Sequence, residues 1–359
     1  VRGRAGSLRA KAKGLKCSAV FAGALPLVRK NYVCLDGAHR PGNIMQILTL
    51  IFILAMAATL SLGQLSVNSD PDAARFVTSD IQLFWKAYDK ATPENDLIVY
   101  RDEYLRKGSV GLKEFTRLRI GSSCSLVDTI GYAPKYYESL RGPSLKVASF
   151  EPQTRAAFRK LKEIYPAAVF PDVYFVIGRM SSAGTLSEKG LLIGVDMYGA
   201  NSPGITDGLS SWHRAVLSSV DRLPYIVAHE SIHYQQKYPV DAEPTLLSRS
   251  IREGAADFIA QLIAGDHINP HLHKYGDPIE KELWLEFEKE MHRTEVSNWL
   301  YQGDKAKERP ADLGYYIGYK IVESYYNNAA DKRRAVQDVL EIKDFNAFLS
   351  GSRYSLKFN

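Results

Sequence analysis

The stretch LPYIVAHESIHYQQKYP, residues 223–239, constrains this chain more than any other. It is mostly apolar, yet it carries two histidines and a glutamate within five residues. His229 and His233 stand four apart, so on a helix their rings leave one face, one turn from each other. Two imidazoles on a half-buried face need partners, and a shared cation supplies them. A tetrahedral ion takes one nitrogen from each at about 2.0–2.1 Å. Glu230 points about 100° round the helix, so it can reach a metal-bound water without serving as a ligand. Two ligands and a general base at this spacing form the metal-hydrolase pattern HExxH. Asp221 is placed to cap the helix, and Pro224 suits its first turn. Pro239 implies that the helix has ended by that point.

A third ligand is needed, with the fourth position open to water. One solution places a histidine six residues after the second, preceded by a glycine. Gln236 and Pro239 occupy those positions, which excludes it. The other solution is a glutamate on the following helix. SRSIREGAADFIAQLIAG, residues 248–265, offers Glu253, with Asp257 one turn further along the same face. A ligand and a carboxylate that braces a ligating histidine can then come from one helix. The small residues of EGAAD let a second helix approach closely. Ser250-Ile-Arg-Glu253 also reads as a capping box, in which the glutamate serves only its own helix start. GDHINPHLHKYGD brings His267, His271 and His273 together, a histidine-rich loop that would matter if Glu253 failed. His213, beside Trp212, reads as a helix-face residue.

Charge argues against a nucleic-acid partner. The chain has 46 basic and 40 acidic residues, a net charge of +6. Residues 1–44 hold nine of the basic residues and one acid, leaving 37 against 39 in the rest. The globular part is therefore almost neutral, without the basic field that nucleic acid requires. Of three cysteines, Cys17 and Cys34 lie in that leader. Cys124 alone remains, so a cysteine-rich zinc site is excluded, and a lone cysteine reads as a small packed hydrophobe.

No charged residue occurs from Pro41 to Ser69. Within that span MQILTLIFILAMAATLSLGQ, 45–64, reads as the apolar core of a signal peptide starting at Met45 and cleaved near Gly63, or as an uncleaved anchor. No cysteine follows it closely, which excludes lipid attachment there. Residues 1–44 are then a basic leader upstream of the true start, and the protein is expected to be exported, periplasmic or extracellular.

Residues 64–145 read as a mainly helical region, with Ile81, Phe84, Trp85 and Tyr88 at helical spacing. SFEPQTRAAFRKLKEIYP is a further amphipathic helix. DVYFVIG, 172–178, and GLLIGVDMYG, 190–199, read as two strands of one sheet, joined by a polar loop, RMSSAGTLSEK. Helices resume at Trp212 and dominate to the end, with EKELWLEFEKE as a solvated amphipathic face. A few strands followed by many helices make the fold class α+β.

HESIH with EGAAD resembles the gluzincin arrangement of thermolysin-like peptidases. FWKAYD, VYFVIGRMSSAGT, GLLIGVDMYG, YIVAHESIHYQQ, REGAADF and GYYIGYKIVESYY together resemble a bacterial family of predicted zinc-dependent proteases, itself similar to the gliding-motility lipoprotein B proteins. The resemblance spans residues 80–345. It implies a zincin-like fold over 146–359, with a small mixed sheet and an active-site helix. It also implies Zn2+ on His229, His233 and Glu253, Glu230 as base and Asp257 orienting His229. GLLIGVDMYG then has two readings: the edge strand that pairs with an extended substrate, or an ordinary core strand. In GYYIGYKI, Gly314 and Gly318 permit close helix packing, and Tyr315 or Tyr319 is a candidate oxyanion donor. The expected protein is an exported zinc metallopeptidase acting on peptides or proteins, touching a membrane only through an uncleaved N-terminal segment. A non-catalytic envelope-assembly or binding protein and a zinc amidase stay open.

Overall fold

The computed structural model describes residues 68–199, 204–239 and 243–358. The basic leader 1–44 and the apolar segment 45–63 lie outside the described residues. From residue 68 onward the described residues fall in one compact unit.

The first part is helical, as its periodicity implies, with one short strand added: β1 (Phe76–Val77), α1 (Ser79–Lys90), α2 (Asp96–Val99), α3 (Val110–Phe115), α4 (Ser123–Tyr132), α5 (Pro134–Ser139), α6 (Arg141–Leu145) and α7 (Glu151–Ile164). α2 runs on into a π turn, Tyr100–Leu105, and α3 into another, Thr116–Ile120. Phe84 is fully buried and meets Trp85, Tyr100 and Tyr104 edge-on or tilted, so aromatic packing holds these short helices together. Cys124 lies partly buried in α4.

β2 (Val173–Val176) lies between β1 and β4 (Gly190–Gly194), parallel to both, and β3 (Gly184–Ser187) pairs antiparallel with β4 on the outside. Every residue of β2 and β4 is buried, which explains their continuous apolar runs. Alternation along β2 sends Tyr174 towards Gly111 of α3 and Phe175 towards Phe76, which in turn meets Phe158 of α7. The sheet is thus covered by helices on both faces. The core-strand reading of GLLIGVDMYG holds, and the loop reading of RMSSAGTLSEK is corrected. GLLIG is an interior strand, because β2 and β4 both carry apolar residues on two faces. The segment read as a polar loop contains the edge strand, β3, whose Gly-Thr-Leu-Ser sequence has one flank in contact with solvent and so lacks an apolar run.

The second part contains α8 (Ser211–Val216), α9 (Leu223–Gln235), α10 (Leu246–Ala264), α11 (Pro270–Gly276), α12 (Glu280–Glu290), α13 (Leu313–Asn328), α14 (Lys332–Leu340) and α15 (Phe345–Ser352). α9 packs against β3, β4, α7 and α10. Pro224 sits in its first turn as expected, but Asp221 does not cap it: that residue lies in a 3-10 turn, Val220–Arg222, that leads into the helix. α10 starts earlier than the capping-box reading requires. Thr245 caps it, accepting from Ser248 N, so Ser250 and Glu253 are interior helical residues. Leu283, Trp284 and Phe287 of α12 are buried, and its acidic and basic residues face outward.

α10 and α13 cross with backbone against backbone. A Cβ at Gly254 would lie 2.0 Å from the Gly318 carbonyl carbon, and a Cβ at Gly318 would lie 1.7 Å from the Ser250 carbonyl oxygen. The small residues of EGAAD and the glycines of GYYIGYK are therefore two halves of one contact. Gly318→Ala is expected to destabilise the fold by at least ~1–3 kcal/mol, because rigid backbone cannot yield to the methyl. Gly351→Ala in α15, where an added Cβ meets only the Tyr325 ring at an ordinary contact of 3.5 Å, is expected to leave stability unchanged or slightly raised. Thermal melting of the two variants checks both.

Candidate metal centre

α9 and α10 bring His229, His233 and Glu253 together, one ligand atom from each lying within 4.8 Å of the others. His229 Nε2 and His233 Nε2 are 3.1 Å apart. Glu253 Oε2 is 3.0 Å from His233 Nε2 and 3.7 Å from His229 Nε2. Two nitrogens each at about 2.05 Å from one tetrahedral ion are separated by about 3.3 Å, so this spacing suits a single divalent cation. The three residues are almost entirely buried.

The outer nitrogens fix which face of each ring points inward. His229 Nδ1 is 2.8 Å from Asp257 Oδ1, and Asn269 Nδ2 donates to Asp257 Oδ2 at 2.7 Å. His233 Nδ1 is 2.9 Å from Gln236 Oε1, and Gln236 Nε2 donates to the Arg252 carbonyl at 2.7 Å. Each Nδ1 faces an oxygen that can only accept, so each carries the proton and leaves its Nε2 lone pair free. The Nε2 lone pairs and one carboxylate oxygen then converge on a single point. Such a set needs a positive charge among its members. Burial opposes charge on His229, but Asp257, Glu253 and Glu230 outweigh it and push its pKa up to about 10. For Glu253, burial is likewise outweighed, here by the two imidazoles, which hold the carboxyl well below its usual range.

Glu230 lies on the next face of α9, against the edge strand. A Cβ at Gly184 would sit 2.4 Å from Glu230 Oε1, so the glycine makes room for the carboxylate. Burial raises the Glu230 pKa, while His233, His229 and Arg119 pull it down. Among the described residues no hydrogen bond engages its carboxylate, which opens onto a cleft of about 560 Å³.

The two tyrosines of α13 part company. Tyr315 lines the cleft, its ring stacked near His229 with centroids 6.2 Å apart. Burial and the Glu253 carboxylate hold its phenol protonated. Tyr319 is not at the cleft: its hydroxyl donates to Gln261 Oε1 and its ring packs on His273 and Phe258. Tyr319 shares a helix face with Tyr315 but stands one turn further along α13, which carries it past the site to Gln261 and Phe258 of α10. The histidine-rich loop holds no second metal-type group among the described residues. His267 and His273 pack on each other and on Tyr319, and it is Asn269 from this loop that reaches the centre, through Asp257. His213 is structural, its Nδ1 2.8 Å from Ser210 Oγ and its Nε2 3.1 Å from the Met180 carbonyl.

Tyr301 is a site residue that the sequence did not disclose. Its hydroxyl is 3.3 Å from Glu253 Oε1. Its φ of +59° places it in a tight turn, and its N–H donates to Asp312 Oδ1 at 2.5 Å. Asp312 stands immediately before α13, so its carboxylate, accepting from the loop, ties Tyr301 to the start of the helix that carries Tyr315. Only an Asp preceding GYYIGYK hinted at this, and nothing local named its partner.

The fold and site define an α+β protein with a buried His–His–Glu cluster of the kind that holds a divalent cation. A family model described as "Gliding motility protein GldB" matches residues 137–356, and the chain belongs to that family. The match spans every residue of the cluster and its supporting carboxylate. No curated protein and no solved structure matches the chain.

With zinc in the cluster, Asp257→Asn is expected to weaken metal affinity ~10–100-fold, because the carboxylate that fixes the His229 ring loses its charge. Chelator competition on the folded variant measures this.

Proposed function

We propose that the protein is an exported zinc metallopeptidase of gluzincin type with a zincin-like fold. His229, His233 and Glu253 would hold the ion. Zinc so held supplies a water whose pKa falls to about 7 and a Lewis acid for the substrate carbonyl. The carrying observation is that both Nδ1 atoms are engaged by acceptors, turning both Nε2 atoms and Glu253 Oε2 to one point, with Glu230 unengaged beside it.

Glu230 is the general base. Its carboxylate lies on the cleft side of α9, takes the proton that the attacking water loses and returns it to the leaving amine. Its burial favours the protonated form halfway through that cycle. Tyr315, and Tyr301 in place of Tyr319, donate hydrogen bonds where charge develops on the carbonyl oxygen. β3, rather than β4, presents the free strand edge beside Glu230, and an extended peptide laid there would pair with its backbone. Export through segment 45–63 puts the activity in the cell envelope or outside the cell, with the segment kept as an anchor if uncleaved.

A second reading has its own support: the matched family is described by motility and not by hydrolysis. On that reading the protein assembles or binds envelope components and the cluster serves structure. A zinc amidase is the same chemistry on another amide. No helix among the described residues is long and apolar enough to cross a membrane.

Glu230→Gln separates the readings. The variant is expected to keep one zinc per chain and lose peptide hydrolysis by ~100-fold or more. Metal analysis and cleavage of a mixed peptide pool measure both. Zinc retained in a wild-type protein that cleaves no peptide would favour the assembly reading.

A further inference from the structure

Three charged side chains of the cleft fall to roles already described: Glu253 and Glu230 serve the centre, and Asp312 accepts the N–H groups of Tyr301 and Gln302. The remaining two are arginines. Arg119 belongs to the π turn that follows α3, and it reaches the cleft from the N-terminal helical part of the chain. Its Nε donates to Thr185 Oγ1 of the edge strand at 2.7 Å. Thr185 is buried and also bonds within its own turn, at 3.0 Å from Ser182 Oγ, so the anchor is firm. The bond holds the guanidinium by one corner, and among the described residues neither Nη group has a hydrogen-bond partner. The Arg119 carbonyl is in turn held by Arg179 Nε at 3.0 Å and Ser181 Oγ at 3.1 Å, which fixes the backbone from which the side chain springs. Arg252, on the α10 side, also lines the cleft. Among the described residues neither guanidinium forms an ion pair.

We propose that Arg119 is a carboxylate-binding residue of the cleft, selecting peptides that carry an acidic group next to the bond at the metal centre, with Arg252 adding a second positive charge from α10. The inference deepens the peptidase reading and rests on it for the position of the bond. A guanidinium fork pairs with a carboxylate through two parallel N–H···O bonds, and an arginine already oriented loses little freedom in making them. With the metal's charge balanced by Glu253 and Glu230, the free charge of the cleft is positive, and an acidic peptide neutralises it. Ile226, Ile268 and Trp212 line the same cleft, so the neighbouring side chain of such a peptide meets an apolar wall. The carboxylate has two sources, a free C-terminus or an Asp or Glu side chain.

Two peptide series distinguish them: one pairs glutamate with glutamine at each position, the other pairs a free with an amidated C-terminus. Binding is measured calorimetrically on the zinc-loaded full chain carrying Glu230→Gln, and hydrolysis on the wild type. The acidic member of one pair is expected to bind about 10- to 100-fold tighter, with the preference shrinking as salt is added. Adding Arg119→Ala should abolish that preference, and Arg119→Lys should keep part of it, with melting temperatures close to the parent's. Equal binding of both members in every pair, or a preference that survives Arg119→Ala, overturns the proposal. A preference without hydrolysis by the wild type leaves the carboxylate site standing and removes the peptidase reading. Hydrolysis of acidic and neutral members at equal kcat/KM does the reverse.

Discussion

Two imidazole nitrogens 3.1 Å apart, each with its lone pair turned inward and a carboxylate oxygen beside them, repel one another unless a proton or a metal cation sits among them. His229 and Glu253 are almost fully buried, so bulk water does little to relieve that repulsion. The neighbouring structure is organised around holding this arrangement. Asp257 and Gln236 stop the two rings from turning their protonated nitrogens inward, and Asn269 and the Arg252 carbonyl hold those two residues in turn. A helix built for packing alone would have placed aliphatic side chains at these positions.

The scaffold explains how the third group arrives. Glu253 sits beside Gly254, whose bare Cα faces the Gly318 backbone. That contact draws α13 onto α10 and leaves the flank of α10 that bears Glu253 and Asp257 facing α9. Position along α13 then decides which tyrosine reaches the centre: Tyr315 stands beside His229, and Tyr319, one turn further on, meets Gln261 instead. On the other side, β3 lies close to α9 because Gly184 has no side chain to hold the strand away from Glu230. Glycines on α10, α13 and β3 thus shape the cleft from opposite directions.

The sequence made the cluster legible because helical spacing is local: His229, Glu230 and His233 within α9, and Glu253 with Asp257 within α10, each follow from one period. The sheet's interior strands were legible for the same reason, through their unbroken apolar runs. The edge strand was not, since four residues of mixed polarity look like a loop until a partner strand is known. Caps were misjudged at both central helices, Asp221 at α9 and Ser250 at α10, because a capping residue is defined by where the helix begins and pattern alone leaves that open. Tyr301, Asn269 and Arg119 join the site through contacts across the chain, and no local pattern marks them.

Membership of the GldB family places the cluster within the matched region and leaves its chemistry to be measured. Zinc X-ray absorption on the purified full chain tests the central claim most directly. The account expects one zinc per chain, with two imidazole nitrogens and one or two oxygens at ~2.0–2.1 Å and no sulfur. A protein that takes up no zinc, or whose zinc keeps its absorption spectrum when both histidines of α9 are replaced, would contradict it.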